Sequence, residues 1–295
     1  MTRLMIVSHT PHYQTGNQYC GWGPTIREIN YLATLFDEVT HVAPLYSQTP
    51  PASSLPYTSA NIRLVPVRPS GGEHWRDKLG ILAETPQYLR VITAEMKHAD
   101  IVQVRCPANI SLLAIIALMF SSRPKYRWIK YAGNWKPTTR EALSYTLQRW
   151  MLAKNLHRGV VTVNGRWANQ PRNVYFFDNP CLTREEIINA RNCIQSKELM
   201  PPYQFLFVGN LVESKGVGNV LQILKKLQQE GVAFLCDFIG DSPQRNEFEN
   251  RTKDLGISNQ VRYLGWIPRT SLNGYYQRAH FILLPSKSEG WPKVL

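Results

Sequence analysis

Short apolar runs along this chain alternate with segments in which apolar residues recur every three or four positions. Leu4 to Ser8 reads as a strand, followed by a polar, glycine-containing loop from His9 to Pro24. Thr25 to Phe36 then places Ile26, Ile29, Leu32, Ala33 and Phe36 on one face of a helix. The alternation continues with strands at Val39–Pro44 and Ile62–Val67, a helix over 79–97, a strand at Asp100–Arg105 and an apolar helix over 110–120. Tyr126–Tyr131 is the next strand. Thr138-Thr-Arg-Glu141 reads as a capping box opening a helix that runs to about Asn155, and a strand follows at 159–163. A second such box at Thr183 opens a helix ending near Leu199.

After Pro201-Pro202 the pattern restarts. Strands are expected at Phe205–Gly209, Phe234–Gly240, Val261–Leu264 and Phe281–Pro285, with helices at Val217–Gln229, Arg245–Leu255 and Ser271–Arg278 between them. Strands separated by helices at this interval indicate parallel βαβ units. The fold class is therefore α/β, with two Rossmann-like parallel-sheet domains expected to face a cleft: residues 1–185 and 200–295.

Composition narrows the class. With 43% hydrophobic residues the chain can bury sizeable cores, which argues against disorder. The longest apolar run, Ile110 to Phe120, falls well short of the roughly 20 residues a bilayer span needs. The N-terminal strand is too short for a signal-peptide core, so a cytoplasmic location is expected. The five cysteines are scattered with no Cys-x-x-Cys, which favours reduced thiols over disulfides or a zinc site. The histidines show no ligand spacing, and no metal site is expected.

Net charge is +13, and residues 1–180 hold 20 Lys/Arg against 10 Asp/Glu. Anionic partners are implied for this half. Nucleic acid is not among them, since no helix-turn-helix, RNP or zinc pattern accompanies the charge. A peripheral contact with anionic membrane fits better, through the helix around Arg149-Trp150, Lys154 and Arg158. His9 and His12 flank the exit of the first strand, where they could touch an acceptor or pack the loop.

Two stretches carry chemistry. Val208-Gly209-Asn210-Leu-Val-Glu-Ser-Lys215-Gly216 follows a strand and opens a helix, so backbone N–H groups, the positive helix end and Lys215 can meet an anion. It is not a Walker A loop, for it lacks Gly-Lys-Ser/Thr. Pro285-Ser286-Lys-Ser-Glu289-Gly290-Trp291-Pro292 lies at the carboxyl edge of its strand, where open α/β sheets bind ligands.

In this order, with Ile239-Gly240-Asp241 and Tyr263-Leu-Gly-Trp266 between them, these stretches resemble the donor domain of family 4 retaining glycosyltransferases of the GT-B fold. The resemblance implies that Lys215 and Asn210 face the donor diphosphate. It implies that Glu289 holds donor-sugar hydroxyls, with Lys215 and Glu289 forming the catalytic pair. Gly290 and Trp291 would present backbone N–H groups, while Gly209 and Gly240 complete the donor edge. Gly23, in Gly21-Trp22-Gly23, would admit the diphosphate from the first domain.

The chain departs from the family pattern in three places. Asn210 stands where Arg is usual, and Lys136, Arg140 or Arg105 is a candidate for the missing charge. Asn134, in Ala132-Gly133-Asn134-Trp135, occurs where many members have a cleft histidine. The second glutamate of the Glu-x7-Glu motif would fall beyond Leu295, so the second domain is expected to be truncated and the piece weakly active. The implied reaction moves a hexose from a UDP- or GDP-sugar to a glycan or lipid-linked acceptor with retention, without cofactor or metal, in bacterial surface polysaccharide synthesis. The alternative is a GT-B-like nucleotide-sugar-binding or scaffold protein with little or no turnover.

Overall fold

A computed structural model describes residues 1–70, 75–137, 141–177, 184–194 and 197–286. The chain divides into two units, Met1–Asn179 and Pro180–Leu295.

The first unit runs β1 (Arg3–Val7), β2 (His12–Thr15), β3 (Gln18–Trp22), α1 (Gly23–Leu32), β4 (Glu38–Tyr46), β5 (Ser54–Pro56), β6 (Ile62–Val67) and α2 (Trp75–Met96). It continues with β7 (Ile101–Cys106), α3 (Asn109–Phe120), β8 (Tyr126–Tyr131), α4 (Leu143–Ala153), β9 (Val160–Val163) and β10 (Val174–Phe176). Among the described residues, seven strands run parallel in the order β6-β4-β1-β7-β8-β9-β10. The order reverses between β1 and β7, the switch point of a doubly wound sheet.

Alternation along the strands sorts the two faces. Met5, Val7, Val102, Val104, Ile129 and Val161 pack against Ile92 and Met96 of α2, Ile115 and Leu118 of α3 and Leu152 of α4. Leu4, Ile6 and Val39 face Ile29 and Leu32 of α1. Toward the strands' carboxyl ends the α1 side turns polar. His41 and Gln103 there are fully buried, and Lys130 nearly so.

Residues 9–24, expected to be loop, contain the β2–β3 hairpin. His12–Thr15 and Gln18–Trp22 pair antiparallel, and His12 and Tyr13 also pair with Leu45 and Tyr46 of β4. The capping box at 138–141 fails as well. The helix starts only at Leu143, with Ala142 as its cap, and Glu141 turns instead to an ion pair with Arg149 and a 3.0 Å bond from Thr146. Thr138 to Arg140 lie outside the described residues, as does Thr183.

The second unit contains α5 (Arg184–Ile194), β11 (Tyr203–Val208), α6 (Val217–Gln229), β12 (Phe234–Ile239), α7 (Arg245–Asp254), β13 (Val261–Gly265), α8 (Asn273–Arg278) and β14 (Phe281–Ile282). The described strands form a parallel sheet in the order β13-β12-β11-β14, so it too reverses beside its first strand. In α6, Val217, Val220, Leu221 and Leu224 recur at helical spacing and cover Phe207, Cys236 and Phe238. The helix expected between 183 and 199 ends as a described element at Ile194, and residues 197–200 are not helical. It groups with the second unit through an ion pair of Glu186 with Arg269 at 2.8 Å. Nearby, the Lys197 amine caps the carbonyls of Tyr276 and Ala279.

Candidate functional site

The carboxyl edge of the second sheet is held together by glycine. Gly209 N–H donates to the carbonyl of Ile239 at 2.9 Å, and Gly240 N–H to that of Gly265 at 2.8 Å. Gly240 has φ +135°, and a Cβ there would sit 1.9 Å from the Gly209 carbonyl oxygen. The tips of β11, β12 and β13 thus stay in backbone contact where a side chain would prise them apart.

From Gly209 the chain turns through exposed Asn210 and a short 3-10 turn at Glu213–Lys215 into Gly216, the cap of α6. Among the described residues no side chain caps α6, and no acidic residue stands in its first turn. Its first N–H groups and positive end stand beside Lys215, an arrangement suited to an anion. Glu213 forms an ion pair with Arg251, and both side chains lie against Gly218 in the first turn of α6.

Gly216 decides the rest. It has φ +76°, and a Cβ on it would lie 2.3 Å from the carbonyl oxygen of Pro285. The segment leaving β14 therefore rests directly on the turn that opens α6. Ser286 follows, its Oγ buried without a hydrogen-bond partner among the described residues. The two stretches singled out in the sequence, some 70 positions apart, meet between β11 and β14, where the strand order reverses. This is the crevice in which open α/β sheets bind ligands. Glu289, Gly290 and Trp291 continue from Ser286 and lie outside the described residues.

The remaining candidates belong to the first unit. Gly23 opens α1, donates its N–H to Ser53 at 3.0 Å, and has no room for a Cβ, which would come 2.7 Å from the same carbonyl. His12 is fully buried and bonds the Thr10 carbonyl and the Tyr57 hydroxyl, so it packs the hairpin rather than facing an acceptor. Tyr57 also bonds His41 at 2.6 Å, and His41 bonds Ser8 at 2.7 Å. Burial holds His12 down to about 4 and His41 well below its ordinary range. His9, by contrast, is exposed.

Asn134 accepts the Lys136 N–H in a local turn, and the Lys136 amine caps the Ala168 carbonyl. Arg105 pairs with Glu28 through Nη2. Arg140 lies outside the described residues. Arg127, in β8, is buried and donates to the carbonyls of Leu118 and Ser121 at the end of α3 and to that of His157. Among the described residues no cluster of His, Cys, Asp and Glu could hold a metal ion.

Residues 191–295 match the family described as glycosyl transferases group 1. This segment resembles a group 1 glycosyltransferase domain. The chain is 30% identical over 92 residues to the 2-deoxystreptamine N-acetyl-D-glucosaminyltransferase of Niallia circulans, covering 31% of this chain and 24% of that one. It thus spans about a quarter of that relative's length. Sucrose-phosphate synthase of Thermosynechococcus elongatus superimposes on the whole chain with a TM-score of 0.67 at 14% identity, covering 78% of that protein. HepE of Anabaena, solved in complex with UDP and glucose, also matches the whole chain, at TM-score 0.59 and 13% identity, over 77% of its own length. The fold is that of GT-B glycosyltransferases.

Proposed function

We propose that this chain transfers a hexose from a UDP- or GDP-sugar to a glycan or lipid-linked acceptor, with retention, in the synthesis of a surface polysaccharide. The observation that carries the reading is the seating of Pro285 on Gly216, which brings Lys215, the start of α6 and the Ser286 hydroxyl to one sheet edge. As the glycosidic bond breaks, the leaving diphosphate gains charge. A fixed amine and aligned backbone N–H groups stabilise it without a divalent ion. Glu289, with Gly290 and Trp291, would hold the donor sugar, and Asn210, Gly209 and Gly240 would line the phosphate side. The match to a protein solved with UDP and glucose supports a nucleotide-sugar donor.

In a thermal-shift screen of the 295-residue chain, a UDP- or GDP-hexose should raise the melting temperature. Lys215→Ala should weaken that ligand by about ten- to a hundredfold, the scale of losing one hydrogen bond to a charged group. Full stabilisation in Lys215→Ala would remove the proposed donor site. Stabilisation without transfer to any acceptor would instead favour a nucleotide-sugar-binding protein.

The acceptor side is proposed to work at an anionic membrane surface. No described helix is long and apolar enough to cross a membrane. On α4, however, Leu143, Leu147 and Trp150 share one face and are 85%, 45% and 54% exposed. Exposed Lys154 continues the row, and Arg158 reaches the Met119 carbonyl beside exposed Phe120. An apolar stripe ending in cations suits the headgroup region of anionic lipid. The chain should co-sediment with phosphatidylglycerol vesicles and not with phosphatidylcholine, and Leu147→Glu with Trp150→Glu should abolish this. Equal binding to both lipids would refute the reading.

A further inference from the structure

The α1 side of the first sheet contains charge that the proposed donor site does not use. Arg105, near the end of β7, is only 12% exposed, and Lys130, its register neighbour on β8, is 3% exposed. Both reach Glu28 of α1: Arg105 Nη2 at 2.8 Å from one carboxylate oxygen, Lys130 Nζ at 2.7 Å from the other. One carboxylate thus sits between two buried cations. Burial pushes Glu28 up, but the Arg105 and Lys130 charges outweigh it and hold the carboxyl below its ordinary value.

The other arm of Arg105 is unused. Nη1 is buried and has no hydrogen-bond partner among the described residues. Two positions earlier on the same face, Gln103 is fully buried with both amide atoms unpartnered. A buried donor left unmade is costly, and a guanidinium offers its donors as a planar fork suited to phosphate or carboxylate oxygens. The cluster lies at the tips of β1 and β7, where this sheet reverses, and exposed His9 continues from β1 within the field of Arg105. His41 lies within the same field from β4.

We infer that Arg105, backed by Glu28 and Lys130 and reached past His9, binds an anionic phosphate or carboxylate group at the carboxyl edge of the first sheet. Resting on the glycosyl-transfer reading, this anion belongs to the acceptor, which is then a phosphorylated or acidic molecule rather than a neutral glycan. The Glu28 pair fixes one edge of the guanidinium, so the free Nη1 edge keeps a set orientation toward the incoming oxygen.

The test reads the His9 imidazole resonances by NMR during titration with inorganic phosphate, glycerol 3-phosphate and glycerol, and with vesicles of phosphatidic acid or phosphatidylcholine. The wild-type chain and Lys215→Ala should both respond to phosphate and not to glycerol. Arg105→Gln should weaken the response about tenfold or more, and Arg105→Lys, which keeps the charge for Glu28 but not the fork, should fall between. A response to glycerol 3-phosphate supports a soluble phosphate ester as the ligand. A response confined to phosphatidic acid vesicles supports a lipid headgroup. No response to any anion, or one that survives Arg105→Gln but is lost in Lys215→Ala, overturns the inference. Because no donor is present, failure here leaves the donor reading separately testable.

Discussion

Lowering the pH from 7 to 5 should destabilise the first unit by about 4 kcal/mol through His12 and His157 alone. Both are fully buried and hold pKa values of about 4, His12 through burial and His157 through burial and the nearby Arg127 charge. In the unfolded chain they titrate near 6.5. Between those values the unfolded state takes up protons that the folded state refuses, so stability falls as pH drops from about 6.5 to 4 and then levels. Each histidine contributes roughly 2 kcal/mol of loss at pH 5, and His41 acts in the same direction. Glu28 does not mask this, because its depressed pKa keeps its ion pairs intact until the pH falls further. The midpoint of urea unfolding, followed by tryptophan fluorescence, should move sharply downward between pH 7 and 5. Six of the eight tryptophans lie in residues 1–179 and report on this unit. His157→Met should remove about half of the difference. An unchanged midpoint in the wild-type chain would show that these histidines are not held neutral.

Gly240→Ala should be among the most damaging single changes in the second unit. The added methyl would fall 1.9 Å from the Gly209 carbonyl oxygen at a backbone angle of φ +135°. Neither backbone can easily give way, since Gly209 N–H is bonded to Ile239 and Gly240 N–H to Gly265. Backbone strain and forced overpacking together should cost on the order of 3 kcal/mol or more. Because β11 and β12 would part at their tips, the Gly209–Gly216 turn would shift, and the donor binding proposed for this edge would fall with stability. Gly256→Ala is the control: it also has positive φ (+67°) but nothing lies within 4 Å of its Cβ position. It should cost only about 1 kcal/mol. Equal melting temperatures for the two variants would show that the Gly209–Gly240 contact is unimportant.

Much of the scaffold was legible because each parallel strand is apolar and each helix carries one apolar face. Ile26, Ile29 and Leu32 in α1, and Val217, Val220 and Leu224 in α6, are buried as their spacing requires. The β2–β3 hairpin was not legible. His12, Gln14, Thr15 and Gln18 are polar, and His12 is buried only because His41, Tyr57 and Leu45 arrive from β4 and the loop beyond it. The start of α4 was misplaced for a related reason. Glu141 stands at the right spacing to close a capping box, but Arg149, two turns on, offers it a full charge.

By itself the sequence determined the α/β class, most of the alternating strands and helices, and the two stretches whose starts meet at the carboxyl edge of the second sheet. These rest on local periods and on residue types whose backbone preferences act within a few positions. Tertiary structure alone decided that Gly216 lies under Pro285 and that Gly240 lies against Gly209. It also decided that Glu28 holds Arg105 and Lys130, 77 and 102 residues away. Contacts at such separations depend on strand order and register, which bring together groups whose chain neighbours carry no trace of the partner. A buried charge or an obligatory glycine is explained only by the atoms that the completed sheet places beside it.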